Sequence, residues 1–172
     1  MKRNGFTLIE MLVVIAIIAV LAAIIVPFAT SATDSAKAKK AQNDASALKM
    51  AVKTFQKDHH YMPFAATGKA VVGDDKWVQT DDADWVKIIQ GDNAMKKSYF
   101  TGKLDDAGKF LDPWGNAFWV GMDRNMDGYV EGKGGPSGGS GKIIRGTAGV
   151  FSAGPDGQFG TDDDIRTDAW SR

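Results

Sequence analysis

Apolar residues fill the chain from Phe6 to Ala29, interrupted only by Thr7 and Glu10. At about 1.5 Å per helical residue this run is roughly 36 Å long, enough to cross a hydrocarbon core of about 30 Å. Lys2 and Arg3 precede it, and the span itself carries no positive charge, which suits an N-terminus left in the cytoplasm. Pro27 removes a helix hydrogen bond and clashes with the turn before it, so a kink or weak point is expected over Ala19 to Pro27. Beyond Ser31 the period persists while the surroundings become polar. Ala41, Ala45, Leu48, Val52 and Phe55 recur at steps of three and four, and lysines and glutamines fall mostly off that stripe. One helix of about 50 residues is predicted, half apolar all round and half amphipathic. It should end near His59-His60-Tyr61-Met62-Pro63, because the residue before proline avoids helical geometry. The adjacent histidines point in different directions on a helix, which favours a solvated helix end over a metal pair.

The second part of the chain reads as short elements. Val71-Val72 and Trp77-Val78 are apolar pairs among glycine and aspartate. Asp81 or Asp82 is placed to cap a helix through Trp85, Val86, Ile88 and Ile89 that stops at Gly91, and Asp92 to cap another through Met95, Tyr99 and Phe100. Trp77 and Trp85 are expected in the core. Asp112 to Val120 reads as a turn feeding a strand, with Trp114 plugging the sheet against the long helix. Asp127-Gly128 suits a hairpin turn between Phe118–Val120 and Tyr129–Val130. Gly132 to Gly141 is a glycine- and serine-rich loop, followed by strands at Lys142–Arg145 and Ala148–Phe151. The predicted class is α+β.

Composition narrows the chemistry. Lysine plus arginine equals aspartate plus glutamate, 21 each, so no global charge draws the chain to nucleic acid. Locally, Asp34 to Asp58 carries six lysines against three aspartates, and Asp156 to Asp168 carries five aspartates against one arginine. There is no cysteine, which excludes disulfides, thiol catalysis and thiolate metal sites. No serine, histidine and aspartate set has a recognisable catalytic spacing, so a membrane-anchored hydrolase is disfavoured and a non-enzyme is expected.

Two acidic stretches are candidate cation sites. Asp123, Asn125, Asp127, the carbonyl of Tyr129 and Glu131 supply oxygens at alternate positions with glycine at the sixth, the first half of a calcium-loop pattern. Its twelfth position is Gly134 and no helices flank it, so it is not an EF-hand; a bare turn and a metal-binding loop both stand. From Ser152 to Ile165, four carboxylates in nine residues would repel one another unless solvated or neutralised, and hard oxygen donors suit calcium over zinc or copper.

Glu10 is the anomaly of the apolar span. A lone carboxylate at membrane depth costs on the order of a few kcal/mol and calls for a partner. An ordinary secretory signal cut near Ala29-Thr30-Ser31-Ala32, or a plain anchor, leaves the order Gly5-Phe6-Thr7-Leu8-Ile9-Glu10 unexplained. That order resembles the class III signal of type IV pilins and type II secretion pseudopilins. The resemblance implies a prepilin peptidase that cuts after Gly5 and methylates the new amino terminus at Phe6. It also implies that Glu10 pairs with the terminal amine of Phe6 on a neighbouring subunit, and that the region around Pro27 can lose helix on assembly. An ammonium and a carboxylate buried in lipid are each expensive unless they meet.

Two further motifs resemble the major pseudopilin branch. Asp112-Pro113-Trp114-Gly115-Asn116 is similar to its Asp-Pro-Trp-Gly-Asn element, and Tyr61-Met62-Pro63 to its Tyr-Pro element with one residue inserted. The run from Ser152 resembles its C-terminal calcium loop, which implies Asp156 and Asp163 as carboxylate ligands to Ca2+, with main-chain oxygen near Ala153 and an oxygen of Thr161; Asp162 and Asp164 follow less directly. The implied organisation is a leader at 1–5, a membrane helix at 6–30 and a periplasmic pilin-like domain at 31–172. Within that domain 31–60 is the amphipathic helix, 61–110 a variable segment, and 111–172 the sheet and calcium loops. The implied function is a single-pass inner-membrane protein polymerising into a helical, periplasmic pseudopilus. Its implied partners are other copies of itself, minor pseudopilins, the peptidase, membrane lipid, and an assembly platform with a cytoplasmic ATPase. The alternative is a type IV pilin of a surface fibre for adhesion, motility or DNA uptake.

Overall fold

A computed structural model describes residues 7–64, 75–136 and 142–171, without the side chains of 26–30. Gly5, Phe6 and the Val71-Val72 pair lie outside the described residues, as does the Pro27 side chain. The chain divides into two units, residues 1–37 and 38–172.

Helix α1 runs Leu8–His59 and contributes to both units. The helix continues through Pro27 without a break. Among the described residues of the first unit the apolar side chains are uncovered, Leu8 at 84% and Ile25 at 61% exposure, and Leu8–Ile25 is long and apolar enough to cross a membrane. In the second unit the predicted stripe is the core face: Ala41, Ala45, Leu48, Val52 and Phe55 are all fully buried. The helix stops where expected, with His60 in the left-handed region (φ 61°) just past its end.

Strand β1 (Lys76–Gln79) follows, then helix α2 (Ala83–Ile89). Asp82 caps α2 by accepting from the Asp84 amide at 3.3 Å, and Trp85, Val86, Ile88 and Ile89 are its buried face. No helix follows at Asp92–Phe100. There Asn93 folds its side chain back, donating to Ile88 O and Lys97 O and accepting from Lys97 N, and so takes up groups a helix would have used.

The remaining strands are β2 (Trp119–Met122), β3 (Tyr129–Glu131), β4 (Ile143–Arg145), β5 (Ala148–Ser152) and β6 (Ile165–Arg166). They form an antiparallel sheet in the order β1-β2-β5-β6 and a separate β3-β4 pair. The expected hairpin from β2 to β3 is therefore corrected: β2 is paired on both edges by β1 and β5, so β3 leaves the sheet and pairs Val130 with Ile144.

Alternation along the strands divides the core in two. Val78, Val120, Met122, Ala148 and Val150 join the α1 and α2 residues, while Trp77, Phe151, Val130 and Ile144 form a second cluster on the opposite face. Gly121 and Gly149 lie on that second face, and a Cβ at either would stand within 2.7 Å of Trp77 and Val130 or 2.6 Å of Ile144. Their missing side chains let the β3-β4 pair lie close on the sheet. Trp114 is only half-buried and belongs to neither cluster. Phe118, fully buried and stacked on Phe110 at 5.5 Å, fills the core where Trp114 was expected. Of the two histidines expected at a solvated helix end, His60 is exposed, whereas His59 is half-buried: it stacks on Phe55 at 4.1 Å, and its Nε2 is buried without a hydrogen bond.

Candidate assembly and cation sites

Thr7 and Glu10 open α1 as a reciprocal cap. Glu10 Oε2 accepts from the Thr7 amide at 2.8 Å and from its hydroxyl at 2.7 Å, and the Glu10 amide reaches Thr7 Oγ1 at 3.4 Å. This is the Thr-x-x-Glu capping box, which satisfies amides that a helix start leaves bare. The spacing is legible in the sequence, and attention to the carboxylate's depth alone passes over it. Both contacts fall on Oε2, so Oε1 stays open to another donor among the described residues.

The Asp112–Asn116 turn and the C-terminal acidic loop form one hydrogen-bonded unit. Asp112 Oδ1 accepts from the amides of Trp114 (3.0 Å) and Asn116 (2.8 Å), and Oδ2 accepts from buried Ser152 Oγ at 2.6 Å. Asn116 Nδ2 then donates to Gly154 O at 3.1 Å. The loop thus starts from a fixed base. Asp112→Ala strands two amides and a buried hydroxyl, and is expected to cost about 3 kcal/mol in denaturant unfolding.

Within the loop, Asp163 accepts from Thr161 Oγ1 at 2.6 Å and from the Asp156 amide at 3.2 Å. The Thr161 hydroxyl in particular holds the Asp163 carboxyl below the usual range, so it is ionised. Gly154 (φ 66°) packs so tightly that a Cβ there would lie 2.4 Å from Asp163 O. Ala153 is buried, and Asp156 and Asp162 face outward. Asp164 is the unbalanced member: Oδ2 accepts from Gly160 N at 2.9 Å, whereas Oδ1 is buried with no partner. An orphaned carboxylate oxygen amid oxygen donors fits a hard cation. The loop brings Thr161 and Asp163 together, but among the described residues no three acidic or histidine side chains converge as a metal cluster.

The Asp123 loop turns its carboxylates onto its own backbone. Asp123 accepts from Asp127 N (3.2 Å) and Gly128 N (2.9 Å), and Asp127 from Tyr129 N (2.9 Å). Asn125 bridges, donating from Nδ2 to Asp127 Oδ2 at 3.0 Å. The side chains of Tyr129 and Glu131 are exposed on β3, and the Glu131 carbonyl is taken by Trp77 Nε1 at 2.7 Å. The structure adds a residue no local pattern shows: Asp75 accepts from Arg124 N at 3.1 Å and Glu131 N at 2.7 Å, clasping both ends of the loop. Burial pushes the Asp75 and Asp123 carboxyls above their usual range, and neighbouring Asp127 adds to this.

Neither a curated protein nor a solved structure matches the chain. Residues 1–26 match the prokaryotic N-terminal methylation motif, a stretch that takes in Gly5, Phe6, Thr7 and Glu10. The chain thus carries this motif at the head of the exposed apolar segment Leu8–Ile25, on an α+β fold consistent with a type IV pilin-like one.

Proposed function

We propose that this chain is the repeating subunit of a periplasmic pseudopilus that drives protein export by type II secretion. The observation that carries the reading is an acid near the start of the apolar, uncovered segment Leu8–Ile25 of α1, inside a prepilin-type motif. Before assembly the helix anchors the subunit in the inner membrane. Cleavage after Gly5 exposes an ammonium on Phe6, which meets Glu10 of a neighbouring copy while the helices bundle. Minor pseudopilins and an ATPase-driven platform complete the machine. Asp112-Pro113-Trp114-Gly115-Asn116, its link to the acidic loop and the lack of cysteine favour this over a surface pilus. Labelling of the protein at native expression is expected to stay inside the cell envelope; fibres beyond the surface would contradict the secretion reading.

Calcium is part of the proposal. Asp164 Oδ1, with Asp156, Asp163, Thr161 and main-chain oxygen near Ala153, would hold it and neutralise the loop. Calcium is then expected to raise the melting temperature of the purified full chain by about 5 °C or more, with EGTA reversing the gain. Asp164→Asn should abolish the difference. An equal melt with calcium and EGTA would remove calcium from the account.

A further inference from the structure

Past residue 38, α1 carries a second stripe opposite its buried one. At about 100° per residue, Lys39, Asn43, Ser46, Met50, Lys53 and Lys57 fall within roughly 80° of arc and extend over about 27 Å. All six are exposed, Met50 at 64%, while Ala41, Leu48, Val52 and Phe55 lie on the far side in the core. Two neighbouring lysines are used locally: Lys40 pairs with Asp44 at 2.8 Å and Lys49 with Asp168 at 2.6 Å. Lys39, Lys53 and Lys57 have no ion pair among the described residues.

The same unit presents the opposite charge elsewhere. Asp81, Asp82 and Asp84 surround the start of α2, and the Asp105-Asp106 turn lies beside them, since a Cβ at Gly108 would be 3.5 Å from Ala83 Cβ. None of these five carboxylates is in an ion pair among the described residues, although Lys87 lies nearby. The chain as a whole is neutral, and the acidic face keeps five carboxylates against the neighbouring Lys87 and Lys109, so a basic and a net acidic face complement each other without a foreign partner. Because the two faces are different surfaces of one chain, their contact is heterologous. Repetition of such a contact gives an open helical polymer when the rotation between copies does not close into a ring, whereas a self-complementary patch gives a closed dimer.

We propose that the Lys39–Lys53–Lys57 stripe of one copy docks on the Asp81–Asp84 and Asp105–Asp106 face of the next. The inference rests on the polymer reading above and supplies a contact within the soluble unit. The test is made in the full chain. Lys53→Glu with Lys57→Glu should lower sedimentable polymer about tenfold, as two rim pairs turn repulsive. Adding Asp81→Lys with Asp106→Lys should restore it, and the melting temperature of each variant checks folding. With no native cysteine, Lys57→Cys combined with Asp81→Cys should also give a ladder of disulfide-linked oligomers on oxidation.

Normal polymer from the first pair overturns the proposal, as does a loss that the second pair leaves unrelieved in folded protein. Lysine-dependent binding to phosphatidylglycerol vesicles with polymer unchanged would assign the stripe to lipid instead, and also overturns it. Absence of polymer from the unsubstituted chain sinks the polymer reading itself, whereas normal polymer alongside a neutral charge reversal sinks only this contact.

Discussion

Phe55→Ala is expected to lower the stability of the second unit by about 4 kcal/mol, the cost of a large cavity where surrounding structure cannot collapse. Phe55 is fully buried, stacks on His59 at 4.1 Å, and meets the edges of Tyr99 and Tyr61 at 5.3 and 5.7 Å. It is the last large residue of the α1 core stripe, so its loss loosens the helix end as well as the core. Its truncation also widens the gap around His59 Nε2, a group already buried without a partner. A domain of this size has roughly 5–15 kcal/mol in total, so the change should be plain in guanidinium unfolding followed by tryptophan fluorescence. Met50→Ala, on the exposed face of the same helix, should shift stability by less than about 0.5 kcal/mol. Equal effects from the two substitutions would mean that the buried and exposed faces of α1 are wrongly assigned.

That contrast shows what the sequence makes legible. Ala41 to Phe55 repeats at helical period over several turns, and burial enforces that period, so the face could be read without a structure. The Asp82 cap and the helix end ahead of Pro63 are local chemistry and equally visible, whereas the left-handed turn of His60 is not. Partners distant in the chain are not. Nothing near Asp75 indicates that it clasps Arg124 and Glu131, and nothing near Asp112 indicates Ser152, because those bonds depend on how strands are ordered. The β2-to-β3 hairpin looked right because Asp127-Gly128 is a good turn. Turn chemistry fixes a bend, however, and the partner of each strand is set by which faces need covering. Asn93 defeated the helix expected after Asp92 in the same manner, by satisfying main-chain groups with a side chain. At the candidate cation loop the residue types were visible, but the orphaned oxygen of Asp164 was not.

Glu10 carries the second large effect, and the capping box sharpens its test. The carboxylate has two separable functions: it caps α1 through Thr7, and in the proposed polymer it meets the amine of another copy. Glutamine at the same position can accept the Thr7 bonds but carries no charge, whereas leucine removes both. Loss of the cap alone costs about 1 kcal/mol and should fray only the helix start. An ammonium buried without its counter-charge costs several kcal/mol, which corresponds to a fall of about a hundredfold or more in assembly.

The direct measurement is the amount of sedimentable polymer formed by the processed full chain and by Glu10→Gln, with leader cleavage verified by mass spectrometry. Polymer reduced about a hundredfold in Glu10→Gln, as far as in Glu10→Leu and with the second unit still folded, is the predicted result. Wild-type polymer from Glu10→Gln would mean that Glu10 serves only as a helix cap, and would contradict assembly through its charge.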